Sequence, residues 1–334
     1  MLNAIIKSFL GSIFEYLGLS STLTKQKDFV LMYHRVLENY SNIITQPGMF
    51  VSKKSFILQL DYMKSHFDII PLQHIINNPN HSNTPRCAIT FDDGWLDNYT
   101  CAYPILKKYN IPATIFPTVS LIGTNQWLWP EKIYYLLQNS FKEENALKVV
   151  SSYLKNKTGL YIQGTKSDKA IAEIGDMIIS KIKGLSPHCI DDFTEEWAEL
   201  LKISFPQART FLNWDQVEEM SNHGIAFGAH GMSHRILIQL TEEEKEREIA
   251  DCYKILKKAK VNLVPIFAYP NGDYDEETLN IVKRSGYSGA VTTHLGYNNS
   301  HTNPYLLKRI GVHQDISNTP SLFSYLIMSA CISH

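Results

Sequence analysis

Apolar, strand-like runs alternate along the chain with segments of helical periodicity, and this alternation restricts the fold more than any other feature. The helical segments include one predicted to begin after Ser52 and one with a capping box at Thr241 and Glu244. Such alternation is typical of a mainly parallel sheet, open or closed, that is covered by helices. The strand-like runs are DFVLMYHRV (28–36), CAITF (87–91), PATIFPTVS (112–120), GIAFGAH (224–230), VPIFAYP (264–270), YSGAVTT (287–293) and LLKRIGV (306–312).

The alternation lapses between about Trp127 and Asn213, where the patterns predict helices without intervening strands. We interpret this stretch as a helical insertion in the α/β domain and not as a separate domain. The α/β domain is predicted to span residues 28–316. An amphipathic helix and a linker are predicted in residues 1–27, and an apolar helix is predicted in residues 317–334.

Charge and cysteine usage restrict the partners and the compartment. The 334 residues carry a formal net charge of -1 without a basic tail or an acidic block, so nothing indicates nucleic acid as a partner. Five cysteines without C-x-x-C spacing favour a reducing compartment. Neither a membrane span nor a signal peptide is expected. A cytoplasmic protein is therefore predicted, with two questions open: whether the N-terminal helix touches the inner face of a membrane, and whether the protein is an oligomer.

Parallel α/β folds carry functional residues at the carboxyl ends of their strands, and two strand ends of this chain carry metal-binding residue types. Asp92 and Asp93 are adjacent carboxylates, which can both ionise at an apolar site only if a cation or hydrogen bonds compensate. The same pair before Gly94 would also make an ordinary turn. His230 and His234 are four residues apart, a spacing that places both imidazoles on one face of a helical turn.

A third unusual strand end is FAYPNGDYD (267–275), where Pro270 and Gly272 break the strand at Asn271. A kink of this kind can direct the backbone N–H of Asn271 towards an oxyanion. An ordinary turn from strand to helix is the alternative interpretation.

The three strand ends together predict one metal site. Two histidines and a carboxylate are a common zinc set, which leaves a coordination position for water. Asp92 would stay free as the base for the water on the metal, and the charge of the metal would make the adjacent carboxylates tolerable. The predicted ligands are Asp93, His230 and His234.

The motifs TFDDG (90–94), HGMSH (230–234) and FAYPNG (267–272), with YHRV (33–36) and LLKRIGV, resemble those of the polysaccharide deacetylase family, carbohydrate esterase family four. The resemblance runs from about Val30 to Val312. It implies a distorted (β/α) barrel of about seven parallel strands. It also implies a divalent metal, usually zinc with Co²⁺ or Ni²⁺ as substitutes, and hydrolysis of an N-acetyl group from an amino sugar.

Two departures from the family pattern affect the residues around the base. Many members carry an arginine two residues before the proline of the third motif, which tethers the catalytic aspartate, but this chain has Ala268 there. We predict Arg309 as the replacement tether. The family's C-terminal histidine also has no clear match, although His294 lies in that region.

We predict His34 as the general acid, with His294 as the rival. In LMYHRV, the residues Met32, His34 and Val36 would share one face of the first strand. If that face points into the barrel, His34 presents an inward imidazole near the strand's carboxyl end. The alternative is a core histidine that is hydrogen-bonded for structure.

The predicted activity is metal-dependent removal of an N-acetyl group from an amino sugar in a glycan or glycan precursor. The alternatives are a deformylase or other amidase on a sugar, and a catalytically inactive sugar-binding relative. A chitin-like polymer, peptidoglycan, a lipid-linked saccharide and a sugar nucleotide all stay open as substrates, with an intracellular assembly step favoured. Residues predicted to contact the saccharide are Trp95, Tyr269, Pro270 and Trp129.

Overall fold

A computed structural model describes residues 2–16, 27–38, 46–77, 85–162 and 167–332. The chain divides into two compact units. The first unit contains the described residues of 1–40, 48–124 and 210–334. The second contains Gln46, Pro47 and the described residues of 125–209.

Seven strands of the first unit follow one path in the order β10-β1-β5-β6-β7-β8-β9, and every pairing along it is parallel. β4 pairs with the start of β5, and β2 pairs with β3 in a separate sheet. The seven-stranded path curls into a half-barrel, which confirms the predicted distorted (β/α) barrel. The strands are β1 (Asp28–Tyr33), β2 (Arg35–Leu37), β3 (Phe50–Ser52), β4 (Asp68–Ile69), β5 (Arg86–Asp93), β6 (Thr114–Pro117), β7 (Ala226–Ala229), β8 (Leu263–Ala268), β9 (Gly289–Val291) and β10 (Ile310–Gly311).

Helices surround this sheet. The hydroxyl of Ser52 accepts the N–H of Ser55, and Thr241 and Glu244 form a capping box, so both predicted helix starts are confirmed. Two helical segments have π geometry, Asn98–Ala102 and Arg247–Asp251. The α-helices of the first unit are Leu2–Tyr16, Lys53–His66, Leu72–Asn77, Tyr103–Tyr109, Trp214–Asn222, Glu242–Glu246, Cys252–Lys258, Glu276–Arg284, Gln314–Ser317 and Pro320–Ile332.

Strand alternation separates two apolar layers. Phe29, Leu31 and Phe91 belong to a cluster that also contains side chains of the covering helices, whereas Val30 and Ala88 belong to a cluster inside the curl of the sheet. Each large side chain that leaves water on folding contributes roughly 1.5–3 kcal/mol. Because neighbouring strand residues face opposite sides, the even-numbered positions that follow Ala88 on β5 point into the barrel.

The segment that connects β9 to β10 bridges the two ends of the curled sheet. The N–H of Thr292 donates to the carbonyl of Leu307 at 2.9 Å, and the N–H of Leu307 donates to Ala290 at 3.0 Å. β10 then pairs with β1. Arg309 therefore lies in the short stretch that joins the two ends of the sheet.

The first strand is shorter than the sequence predicts. β1 ends at Tyr33, and the chain leaves the barrel at His34 because β2 pairs with β3 and the N–H of Val36 donates to Asp97 at 3.0 Å. Val36 packs in the outer layer with Tyr33. The predicted alternation of Met32, His34 and Val36 on one inward face is therefore wrong beyond Tyr33.

The second unit is helical, and no strand occurs among its described residues, as predicted for this stretch. Its helices enclose an apolar core of their own, which includes Ile133, Leu154, Ile178 and Trp197. The helices are Trp129–Ser140, Glu144–Thr158, Asp168–Ile182 and Pro187–Leu201.

The N-terminal helix (Leu2–Tyr16) packs against the C-terminal helix (Pro320–Ile332). A Cβ atom at Gly11 would come within 1.8 Å of the carbonyl oxygen of Ser321, so the close approach requires glycine. The other side of the N-terminal helix keeps Ile5 and Phe9 exposed, at 65% and 66%. In the part of the chain that the structure describes, no helix has the length and apolar character needed to cross a membrane.

Candidate active site

Three side chains with metal-binding atoms converge at the carboxyl ends of β5 and β7. The Nε2 atoms of His230 and His234 lie 3.4 Å and 3.3 Å from Oδ1 of Asp93. One ligand atom from each residue lies within 4.8 Å of the other two. The structure therefore brings together the three residues that the sequence predicts as ligands.

This donor set fits a divalent cation. Asp93 is 1% exposed, and its Oδ1 atom has no hydrogen-bond partner among the described residues. An unsatisfied buried polar atom costs about 1–3 kcal/mol, and more when it is charged. A cation between the carboxylate and the two imidazoles would remove this cost, and one oxygen with two nitrogens is a ligand set that suits zinc.

Neighbouring groups orient the candidate ligands. His230 shares a hydrogen bond of 2.8 Å between its Nδ1 and the carbonyl of Ala268, so Nδ1 is the donor and Nε2 is left to face Asp93. The indole N–H of Trp95 donates to Oδ2 of Asp93 at 2.8 Å. Oδ1 is therefore the carboxylate oxygen that is available to a cation.

The electrostatics of the cluster favour the metal-binding forms of His234 and Asp93. For His230, burial would lower the pKa, but the charges of Asp92 and Asp93 outweigh burial and raise it. Burial lowers the pKa of His234 to about 4, so its imidazole is neutral near pH 7. Burial would raise the pKa of Asp93, but the nearby imidazoles of His230 and His234 hold it below its usual range. A neutral imidazole and an ionised carboxylate are the metal-binding forms.

Asp92 points into the barrel, on the same face of β5 as Ala88, and Arg309 holds it by two bonds. The Nη1 and Nη2 atoms of Arg309 each donate to one carboxylate oxygen at 2.7 Å, and its Nε donates to the carbonyl of Thr292 at 2.8 Å. Burial would raise the pKa of Asp92, but the Arg309 charge dominates and lowers it. The guanidinium thus reaches Asp92 from the segment that connects β9 to β10, whereas β8 ends in Ala268, which has no group that could hold the carboxylate.

Of the two candidate acids, His34 is the one that interacts with the carboxylates. Burial lowers the pKa of His34, and the charges of Asp93 and Asp92 oppose that effect. His294 is exposed, and its ring centroid lies 6.0 Å from that of Tyr274. His34 therefore stays the predicted acid and His294 its rival, although the alternation that predicted the direction of His34 does not hold.

Three predicted site residues have left-handed backbone conformations, namely Asp93 (φ 70°), His234 (φ 60°) and Asn271 (φ 59°). Asp, Asn and His adopt this region more readily than most residues, and strained positions cluster at functional sites. Each of the three strand ends thus turns sharply at a predicted functional residue. The other non-glycine residues of this kind in the described part lie at or just after helix ends: Asn110, Lys202 and Lys260.

The structure corrects the predicted substrate contacts. Trp95 is 2% exposed and stacks on Phe211, and Tyr269 is fully buried with its hydroxyl donating to the carbonyl of Tyr305. Pro270 is also buried. A buried ring presents no face to a saccharide. Trp95 therefore orients Asp93, and Tyr269 packs in the core.

Trp129 begins the helix Trp129–Ser140 and packs, partly buried, against the core of the second unit. Its contact with a saccharide stays a prediction.

Sequence reasoning missed the polar residues that support Trp95 and the loop between the two histidines. Asp97 accepts the Nε–H of Arg35 at 2.8 Å, and the Arg35 guanidinium lies 4.4 Å from the centre of the Trp95 ring. Glu248 accepts backbone N–H groups from the loop between the two histidines. Asp97 follows the TFDDG motif closely enough to be suspected, whereas no pattern singles out Glu248.

Comparison with known proteins extends these observations. YxkH of Bacillus subtilis, a protein assigned to the polysaccharide deacetylases, is 25% identical over 294 residues, which cover 87% of this chain and 73% of that protein. The poly-beta-1,6-N-acetyl-D-glucosamine N-deacetylase of Staphylococcus epidermidis is 29% identical over 115 residues, which cover 31% of this chain and 40% of that protein.

Solved structures show the same fold. The deacetylase PplD of Streptococcus pyogenes superposes with a TM-score of 0.56 at 22% identity, covering 90% of this chain and 97% of PplD. IcaB from Ammonifex degensii gives 0.55 at 18% identity, with the same coverage of 90% and 97%. The sequence profile of the polysaccharide deacetylases matches residues 80–290, more than half of the chain. This chain belongs to the polysaccharide deacetylase family.

Proposed function

We propose that this protein is a metal-dependent hydrolase that removes the N-acetyl group from an amino sugar in a glycan or glycan precursor. One observation carries the proposal: Asp92, held by the paired hydrogen bonds of Arg309, adjoins Asp93, which lies with His230 and His234 in a candidate metal-binding set. Membership of the polysaccharide deacetylase family supports the choice of a carbohydrate amide as substrate. A sugar-binding relative without activity would need neither a second carboxylate beside the ligands nor the guanidinium that keeps it charged.

Each residue of the site has a separate role in amide hydrolysis. A divalent cation held by Asp93, His230 and His234 would polarise the acyl carbonyl and make water more acidic. We propose Zn²⁺, with Co²⁺ or Ni²⁺ as substitutes, because the ligands are imidazoles and a carboxylate. Asp92 accepts the proton of the attacking water, and Arg309 keeps its carboxylate charged and in one orientation.

The remaining groups stabilise the oxyanion and protonate the leaving amine. The backbone N–H of Asn271 donates to the oxyanion that develops on the acyl oxygen. The C–N bond then breaks, and His34 gives a proton to the departing amine, which is a poor leaving group unless it is protonated. Acetate and a free amino sugar result.

Product analysis across a substrate panel tests the proposal. We expect acetate release from at least one of chitin oligomers, β-1,6-linked N-acetylglucosamine oligomers, peptidoglycan fragments, a lipid-linked saccharide or a sugar nucleotide. N-formylated versions of the same sugars test the deformylase alternative. Release should stop after chelation and return with Zn²⁺, and Asp92→Asn should lose turnover while it retains metal. Acetate release that survives complete metal removal would contradict the mechanism.

A further inference from the structure

A buried carboxylate lies beneath the loop that connects the two histidines. The N–H groups of Met232 and Ser233 both donate to Oε2 of Glu248 at 2.9 Å, and the Ser233 hydroxyl donates to Oε1. Glu248 is 7% exposed. Its charge is therefore directed at the loop and not at solvent.

Cys252 lies one helical turn further on. Its thiol is fully buried, and the nearby backbone N–H groups of His230 and Gly231 partly oppose the rise in its pKa that burial causes. Two successive backbone N–H groups, those of Met232 and Ser233, are thus taken by the single carboxylate of Glu248. This pattern leaves the path between the two histidines little freedom.

Two local features match such a constraint. Glu248 lies in the π-helical segment Arg247–Asp251, and π turns recur at functional sites. Gly231 has a φ of 78°, and a Cβ atom there would lie 3.1 Å from Oε2 of Glu248. A side chain at position 231 would therefore crowd the carboxylate.

We propose that Glu248 is a positioning residue for the candidate metal centre, holding residues 231–233 so that the imidazoles of His230 and His234 face Asp93 before a cation binds. This inference rests on the proposed function because it concerns the same ligands. Glu248 touches none of the reacting groups. Glu248 orders the loop before the cation binds, including the left-handed conformation of His234. The free-energy cost of ordering the loop therefore does not reduce the affinity for the cation.

Titration of the metal-free protein with Co²⁺ tests the inference. Glu248→Ala should raise the Kd about 10- to 100-fold, the usual effect of removing a group that orients metal ligands. Glu248→Gln keeps an oxygen for the two N–H groups and should restore most of the affinity. Glu243→Ala is the matched control, because Glu243 is an 81% exposed glutamate of the preceding helix, and its Kd should equal that of the wild type.

Hydrogen–deuterium exchange of the metal-free proteins supplies a second measurement. Backbone amides of residues 231–233 should exchange faster in Glu248→Ala than in the wild type. If Glu248→Ala fails to fold, Glu248→Asp replaces it, because the shorter side chain cannot reach both N–H groups. An unchanged Kd and unchanged exchange in the variant overturn the inference and leave the proposed function intact. A wild-type protein that binds no Co²⁺ instead overturns the proposed function, and the inference falls with it.

Discussion

The charge of Asp92 is decided by two opposing effects inside the barrel. Burial disfavours the carboxylate, whereas the paired hydrogen bonds from Arg309 favour it, and the balance holds the pKa of Asp92 below its usual range. An uncompensated buried charge costs several kcal/mol. The base of this site is therefore a pair of residues, in which Arg309 makes the charge of Asp92 tolerable.

Replacing Arg309 should remove the function of the base and leave the metal ligands. We expect Arg309→Met to lower kcat by about 10²- to 10⁴-fold, the usual contribution of a general base. Arg309→Lys should recover only part of the activity, because an ammonium group cannot donate two parallel bonds. Steady-state kinetics with metal analysis measures both effects. Normal turnover in Arg309→Met would show that Asp92 does not need the guanidinium.

The general acid is a second prediction at the residue scale. The charges of Asp93 and Asp92 oppose the lowering of the His34 pKa by burial, whereas His294 is exposed near Tyr274. His34→Ala should therefore lower kcat by about 10²- to 10⁴-fold at unchanged metal content. His294→Ala should retain nearly normal kcat. The reverse result would assign the acid to His294.

At the scale of elements, one lysine joins two helices beside the barrel. Lys245 of the helix Glu242–Glu246 donates to Asp275 at 2.7 Å and to Glu277 at 2.5 Å. Asp275 also caps the helix Glu276–Arg284. Burial would raise the pKa of Asp275, but the bonds from Lys245 and Thr278 lower it to about 2.

This depressed pKa predicts how stability changes with pH. The folded-state value lies below the usual value of about 3.9, so the interaction stabilises the protein above pH 4 and is lost as the pH falls from about 4 to about 2. Lys245→Met should lower the free energy of unfolding by about 1 kcal/mol at pH 7, and the difference should shrink towards pH 2. Urea denaturation at several pH values measures it.

Lys254→Met is the control for that comparison, because Lys254 is 73% exposed and pairs with Asp251 on the surface. We expect little change in this variant at any pH. A destabilisation by Lys245→Met that stays constant between pH 7 and pH 2 would contradict the role of Asp275.

The N-terminal helix is the other element that carries a prediction. One side packs on the C-terminal helix, and the other keeps Ile5, Ile6 and Phe9 exposed, so the predicted membrane contact would use this second side. If it exists, Ile5→Ser with Phe9→Ser should reduce flotation with phosphatidylglycerol vesicles. Met177→Ser, at an exposed apolar residue of the second unit, is the control. Equal flotation of all three proteins would dismiss the membrane contact.

At the scale of the whole molecule, the metal site should couple to stability. A ligand that binds only the folded protein at 100 times its Kd adds about 2.7 kcal/mol to the free energy of unfolding. Zn²⁺ should therefore raise the Tm of the chelated protein. His230→Ala should lose roughly one metal equivalent and the rise in Tm while keeping its fold. Stoichiometric metal in His230→Ala would count against the ligand assignment.

The sequence by itself determined the parallel α/β barrel, its family and the candidate ligands. The alternation of strands and helices is local, and the carboxyl ends of parallel strands meet at one edge of the sheet. Asp93 ends one strand and His230 directly follows another, so the two could be placed together without knowledge of the strand order.

Only the tertiary structure decided which groups surround those ligands. Arg309 lies 217 positions from Asp92, and it reaches the carboxylate because the segment after β9 bridges the two ends of the curled sheet beside β5 and β1. The burial of Trp95 and the contact of Glu248 with the histidine loop likewise depend on how elements pack. Such contacts join residues far apart in sequence through the curvature of the sheet, and no local periodicity encodes that curvature.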